Sequence, residues 1–516
     1  MIFPDNLREY FLALNKNMKQ IVCNTKESRW NDYRAVIATF ITHLNSINVG
    51  MCQGYSAILL PQLLNPIDDT DDVLMINSEE ASWIASLGVL SNPVGALLSG
   101  LLMDACGRKT TILYTTIPFV FGWTIIGLSE NLYTLCLGRC ISGLAIGMSS
   151  SCYVYVAEIS TPSSRGFLSA FGPVFVSLGV LAVYSLGYIL DWKTLAFICS
   201  ITAALSFVAI LFLPESPSWL ATNGSLDEAT KALLWFRKDQ SATDNELADI
   251  LETVKISRNT KPRSVKELVQ YCRRGAVWKP FLILVAFFVF QELSGIYIVL
   301  YYAIDFFDRA GTHFNDYIAS IMVGSLRFLV SIVGAVCIQH FSRKIMATTS
   351  SLFMSISMAV AAMYEHWYSE MEIDARPLVW IPLVSILINV SASMLGMLQL
   401  PWLMIGELFP LTIRGTMGGL VSSLAYLFIF VTVKFYPAML QHLKVDGTMW
   451  MFSIASFLAI FYVMACLPET KDKTLFQIER AFMKSESGES KENLPSSIIT
   501  QNTVPTISIS VECKRI

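Results

Sequence analysis

The stretch Glu158-Ile-Ser-Thr-Pro-Ser-Ser-Arg165-Gly166 has a counterpart in the second half of the chain, Glu407-Leu-Phe-Pro-Leu-Thr-Ile-Arg414-Gly415. Both read Glu, six residues, Arg, Gly, and each lies between two long apolar runs. Each is trailed, one apolar pair of runs later, by Leu-Pro-Glu, at Leu213-Pro214-Glu215 and Leu467-Pro468-Glu469. A single Glu-to-Arg spacing carries little weight. The same punctuation twice, in register, marks an internal repeat, and charges confined to the ends of apolar runs make it a repeat of two membrane bundles.

Composition agrees. Of 516 residues, 54% are apolar and 15% charged, with a mean hydropathy of +0.53. A soluble chain carries about a quarter charged residues. A helix needs about 20 mostly apolar residues to cross a bilayer. Suitable runs fall near 34–61, 82–103, 111–129, 132–157, 167–190, 194–213, 279–304, 317–339, 346–364, 378–405, 415–440 and 449–467. The expectation is an all-α integral membrane protein with twelve transmembrane helices in two six-helix bundles. Parallel repeats of this kind are a feature of alternating-access transporters.

The expected domains are a cytosolic N-terminal segment (1–33), a first bundle (34–213), a cytosolic linker of short amphipathic helices (214–278), a second bundle (279–467) and a tail without packed structure (468–516). The linker earns its helices from the spacing of Leu226, Ala229, Ala232, Leu233, Leu247, Ile250, Leu251 and Val254. Ser and Thr dominate the tail. The first thirty residues hold scattered basic groups and no signal-peptide core, so the first span is expected to direct insertion. Lys and Arg cluster on one side of the short loops (Arg108-Lys109, Arg165, Arg343-Lys344, Arg414) and acids on the other (Asp68 to Asp72), which puts both termini in the cytosol. The 11 Cys fall in apolar runs or expected cytosolic segments and read as reduced or buried thiols.

No metal-ligand cluster, nucleophile constellation or phosphate-cradling loop is evident, and the 5 His are dispersed, so neither an enzyme nor a cofactor is expected. A net charge of −3 without a basic stripe gives no reason to invoke nucleic acid. Glycines such as Gly50, Gly54, Gly143 and Gly147 read as close-packing positions. Arg139, inside a span, needs a partner or a wet cavity.

With these motifs placed, the chain resembles the sugar porter family of the major facilitator superfamily over nearly all of its length. The motifs are Asp104, Gly107, Arg108 and Lys109 after the second run; Glu158, Arg165 and Gly166; Pro214 to Pro217; Gln291-Glu292-Leu293-Ser294-Gly295; and Pro468, Glu469, Thr470, Lys471 and Asp472. Pro401 to Glu407 looks most like the insect facilitated trehalose transporter group. The resemblance implies a central sugar site between two rocking bundles, passive carriage of trehalose or a hexose, and function as a monomer in the plasma membrane. It also implies that Asp104, Arg108, Glu158, Arg165, Glu407 and Arg414 pair across the bundle ends as a cytosolic gate. Helix capping is the structural alternative for each.

The family pattern is altered at the pocket. Gln291 and Trp402 keep its amide and indole chemistry, but Pro173, Glu292, Tyr297, Arg327, Met394, Gln399 and Ala425-Tyr426 replace usual residues. Gln291, Glu292, Tyr297, Arg327, Gln399 and Trp402 are therefore the candidate substrate contacts. Glu292 and Arg327 lie equally far from a turn expected near 309–310, so a buried ion pair between them is expected. Cys52 stands where proton-driven relatives carry Asp, and a Glu292 held ionised by Arg327 would not titrate; both favour passive transport. A porter for a polyol or charged metabolite, and a solute sensor that transports nothing, are the alternatives.

Overall fold

A computed structural model describes residues 33–64, 78–258, 265–301, 316–369, 371, 376–378 and 380–484. The N-terminal segment before Tyr33, the acidic loop Asp68 to Asp72, the turn near 309–310 and the tail beyond Lys484 lie outside the described residues, whereas the first part of the tail expected to be unpacked is a packed helix, Leu475–Lys484, with Ile478 buried. Among the described residues the regular structure is helical, without strands.

Among the described residues twelve helices are long and apolar enough to cross a membrane: Tyr33–Leu63, Ser86–Cys106, Arg108–Gly127, Leu132–Ile159, Arg165–Gly187, Trp192–Leu211, Gly275–Leu293, Ser320–His340, Arg343–Tyr368, Trp380–Leu408, Leu411–Tyr436 and Ala438–Cys466. A backbone in hydrocarbon must bond to itself, which leaves the helix as the available form for such runs. Polar side chains mark several starts. Asn131 accepts from the Thr134 amide at 2.9 Å, Asp191 from the Thr194 amide at 3.0 Å and Ser342 from the Ile345 amide at 3.3 Å. The last two spans run on without a loop and turn at Lys444 (φ 59°, ψ −178°).

The first span packs on the fifth and the third on the fourth and sixth; the ninth packs on the tenth and on the last two. The bundles meet where the second span lies on the eleventh and the fifth on the eighth. Small residues allow this approach. A Cβ on Gly100 would sit 2.8 Å from the Gly415 carbonyl oxygen and 3.1 Å from the Gly419 Cα, both in the opposite bundle. Linker helix Pro217–Thr222 packs on the fourth span and Leu226–Arg237 on the first, while Gln240–Arg258 reaches Leu411–Ile413 of the second half. Arg237 clamps Glu246 at 2.7 and 2.9 Å and donates to the Ile159 carbonyl at 3.0 Å.

Among the described residues four other spans are interrupted. The second breaks at Ser91, ahead of Pro93; the fourth breaks at Ser149; the seventh breaks at Ser294-Gly295; and the tenth breaks between Leu395 and Leu400. Gly295 has φ +77°, and a Cβ there would meet the Phe452 ring at 2.5 Å, so the turn requires glycine. The interruptions share one region, because Asn92, Ser149, Tyr297, Leu398 and Trp402 all face the cavities between the bundles.

Candidate functional site

At one end of the bundles the repeated motifs form a buried charge network. Glu158 closes the fourth span, and its side chain is fully buried. Its Oε1 accepts from Arg108 Nη2 at 3.0 Å and from Arg414 Nη1 at 3.1 Å. Its Oε2 accepts from the Ser216 hydroxyl. Arg108 belongs to the same bundle and Arg414 to the other, so one carboxylate bridges both. A buried charge is tolerable only with such pairing. Asp104, at the end of the second span, makes a second bridge. Its Oδ2 accepts from the Thr416 amide at 2.8 Å and the Thr416 hydroxyl at 2.6 Å, in the first turn of the eleventh span. The Asp104 side chain thus caps a helix belonging to the other half.

The repeated Leu-Pro-Glu supplies a role that the spacing alone did not suggest. The Glu215 carboxylate accepts from the amides of Arg108 at 2.8 Å and Lys109 at 2.9 Å, capping the third span. Glu469 does the same for the ninth span through Arg343 at 3.2 Å and Lys344 at 3.4 Å.

The two halves then diverge. Glu407 has Arg343 Nη2 at 3.7 Å, while its Oε2 has no hydrogen-bond partner. Among the described residues Arg165 makes no ion pair: it donates to the Ala157 carbonyl at 3.0 Å and, across the halves, to the Lys473 carbonyl at 3.0 Å. The guanidinium of Arg343 lies against Gly166, where a Cβ would sit 2.2 Å from Nη2. Below this layer a cavity of about 290 Å³ is lined by Glu158, Arg165, Arg414, Glu246, Asp249 and Glu479.

Between the bundles lies a cavity of about 50 Å³, lined from both halves by Gln53, Tyr153, Tyr297, Arg327, Trp402 and Tyr426 among others. Trp402 is held by Phe288 (ring centroids 5.0 Å apart), Tyr426 (5.1 Å) and Tyr153 (6.4 Å). An adjoining cavity holds Arg139, whose Nη2 donates to the Ser56 hydroxyl at 2.5 Å and whose guanidinium lies 6.0 Å from the Tyr55 ring centroid. The partner that an Arg within a span needs is therefore a first-span serine.

Of the six candidate contacts, Tyr297, Arg327 and Trp402 share the cavity. Gln399 does not line it: its Nε2 lies 3.5 Å from the Ser331 carbonyl, against the eighth span. Gln291 and Glu292 are buried outside the lining, with neither amide atom of the first nor either carboxyl oxygen of the second hydrogen-bonded. The expected Glu292–Arg327 pair does not form. Arg327 Nη2 lies 3.4 Å from Gln53 Oε1 on the first span. Equal distance from a turn places two residues together only if their helices pack. The seventh span packs chiefly on the last two helices, and the eighth on the fifth and tenth. Sequence reading also passed over Thr416, Gln53 and Tyr153, which carry no motif of their own, and gave Ser216 no role beyond its place in the Pro214 to Pro217 motif.

This two-fold architecture is reflected in known proteins. The profile of the family described as "Sugar (and other) transporter" matches residues 22–482. The facilitated trehalose transporter Tret1 of Apis mellifera ligustica is 30% identical over 448 residues, covering 87% of this chain and 88% of that one. Tret1 of Bombyx mori is 30% identical over 454 residues, covering 88% and 87%. Among solved structures, the proton:xylose symporter XylE bound to 6-bromo-6-deoxy-D-glucose superposes with a TM-score of 0.75 at 21% identity, over 88% of this chain and 100% of that one. Twelve spans among the described residues, the repeated Glu-to-Arg motif and a family match over most of the length agree: the chain belongs to the sugar (and other) transporter family.

Proposed function

We propose that the chain carries a neutral sugar, trehalose or a hexose, passively across the plasma membrane by alternating access, as a monomer with both termini in the cytosol. The observation that carries this reading is the coexistence of a cross-bundle lock at one end with a cavity lined from both bundles. Asp104–Thr416 and Glu158–Arg414 join the halves. The central cavity, about 50 Å³, is far below the roughly 300–1,000 Å³ of small-molecule sites. A carrier shut at its cytosolic end, with its bundles drawn together over a central cavity, should look like this. The lock residues Asp104, Arg108, Glu158, Arg165, Glu407 and Arg414 are proposed as the gate, opening when the bundles rock the other way.

Trp402, Tyr297 and Arg327 are proposed to meet the sugar first. Gln291 and Glu292 offer polar atoms without partners, which a polyhydroxyl ligand is suited to satisfy once the seventh span moves. Gln399 is proposed as a contact on the same condition. Passive carriage now rests on Cys52 in the first span, because the unpaired Glu292 no longer argues for it. Arg327 in the cavity wall favours a second reading, a porter for a polyol or an anionic metabolite. Uptake of labelled trehalose and glucose into cells expressing the chain, with and without a collapsed proton gradient, decides among these. Saturable uptake that ignores the gradient supports the proposal. Gradient-dependent uptake overturns its passive part, and absence of uptake with the protein at the cell surface overturns the sugar.

A further inference from the structure

A groove of about 500 Å³ lies outside the gate, between the start of the seventh span, the end of the twelfth and the helix Leu475–Lys484. Its spanward wall is apolar and open to the surroundings, with Trp278 44% and Leu282 52% exposed. Its other wall is polar. Lys279 and Lys473 line it, and so does Thr470, which is 3% exposed with a hydroxyl that has no hydrogen-bond partner. Glu469 also lines the groove, but its carboxylate already accepts from the Arg343, Lys344 and Lys471 amides. Lys473 Nζ donates once, to the Glu469 carbonyl at 2.8 Å, and an ammonium has three donors.

A buried hydroxyl without a partner, two ammonium groups, an indole at the end of a span and an apolar wall along it match one kind of molecule. We propose that this groove holds an anionic glycerophospholipid. Its phosphate sits among Thr470, Lys473 and Lys279, and an acyl chain runs along Leu282 and Ile283. A soluble anion would leave the apolar wall uncovered, and an apolar helix face would leave the Thr470 hydroxyl unsatisfied. That the leaflet is the cytosolic one rests on the orientation proposed above; the site itself does not.

The groove also touches the gate. Ile478 and Phe482 form one of its walls, while Phe476 and Glu479 of the same helix line the cavity beneath Glu158, Arg165 and Arg414. A bound lipid therefore braces this helix against the shut end.

The test is native mass spectrometry of the purified full chain with phosphatidylglycerol or phosphatidylcholine, alongside thermal unfolding of every variant. The wild type should retain phosphatidylglycerol in preference. The Lys279→Gln/Lys473→Gln variant, altered at partly exposed side chains, should unfold as the wild type does and bind about thirtyfold more weakly. Thr470→Val should weaken retention separately. Equal retention of the two lipids, unchanged binding by the lysine variant, or displacement of the lipid by inorganic phosphate alone would each overturn the proposal.

Discussion

Replacing Asp104 with Asn tests whether the cross-bundle lock sets the conformational balance or only caps a helix. Asp104 Oδ2 receives two hydrogen bonds from Thr416, at 2.8 and 2.6 Å. Charge-assisted bonds contribute about 1.5–3 kcal/mol and neutral ones about 0.5–1.5, so each bond should weaken by roughly 1 kcal/mol. A carboxylate at a helix N-terminus adds about 0.3–1 kcal/mol that the amide lacks. The loss is then about 2–3 kcal/mol, or roughly 30- to 150-fold in an equilibrium. Because Thr416 belongs to the other bundle, all of it falls on the state in which this end is shut. A ligand or mutation shifts populations only by such a difference between states.

Glu215→Gln is the matched control. It removes a cap of similar strength, on the Arg108 and Lys109 amides at 2.8 and 2.9 Å, but within the first bundle. Both variants should lower Tm, and only Asp104→Asn should shift the population. Spin labels at Leu211 and Ile345, 48% and 52% exposed and placed on opposite bundles at this end, report the separation. A long-distance population should appear for Asp104→Asn alone. If both variants lose stability equally and the distance distribution does not move, Asp104 is a cap and the gate argument fails at that residue.

Other expectations follow from the same geometry. Gly100→Val pushes a side chain into the Gly415 and Gly419 backbone of the facing span; overpacking of about 1–3 kcal/mol should favour the opened end and change uptake at least several-fold, seen as a shift in the same label distances. Arg327→Gln should change KM for the transported solute while leaving Tm near the wild-type value; a large fall in Tm with KM intact would make Arg327 a structural link to Gln53. Glu479 lies beyond the last span, and burial pushes its carboxyl up from its ordinary value of 4.5, with the Arg414 guanidinium pulling the other way. The fold therefore favours the protonated form. Stability contributed in that form is full below about pH 4.5 and is lost as pH rises through the folded value. Glu479→Gln should then raise Tm at neutral pH and leave it unchanged in acid, and a Tm gain independent of pH would refute this.

The spans were legible because a membrane run needs only length and apolarity. Interruptions within them were not. Ser149-Ser150-Ser151, Gly295 and Pro401 stand in plain view, but a serine or glycine in a span reads equally as a packing residue until neighbouring helices show what it faces. The same limit produced the Glu292–Arg327 expectation. Sequence supplied depth along each helix, and only the packing of the seventh and eighth spans on different partners settled their faces.

The buried charge network shows where a repeat in sequence stops being a repeat in structure. Glu158 and Glu407 occupy equivalent motif positions, but Glu158 gathers Arg108, Arg414 and Ser216, while Glu407 has one guanidinium at 3.7 Å and an oxygen without a hydrogen bond. The cause lies in neighbours outside the motif. Gln339 and Ser342 stand where the first half has Asp104 and Gly107, so the second half lacks the carboxylate that would cap the facing helix. Arg165, the counterpart of Arg414, is drawn to the Lys473 carbonyl instead. One half of the lock is thus built from charge-assisted bonds and the other from a backbone bond and packing. Opening this end breaks two strong links rather than four. Under the alternating access proposed above, that asymmetry favours transport, since a symmetric lock of buried pairs would hold the shut state too firmly for a single sugar to shift.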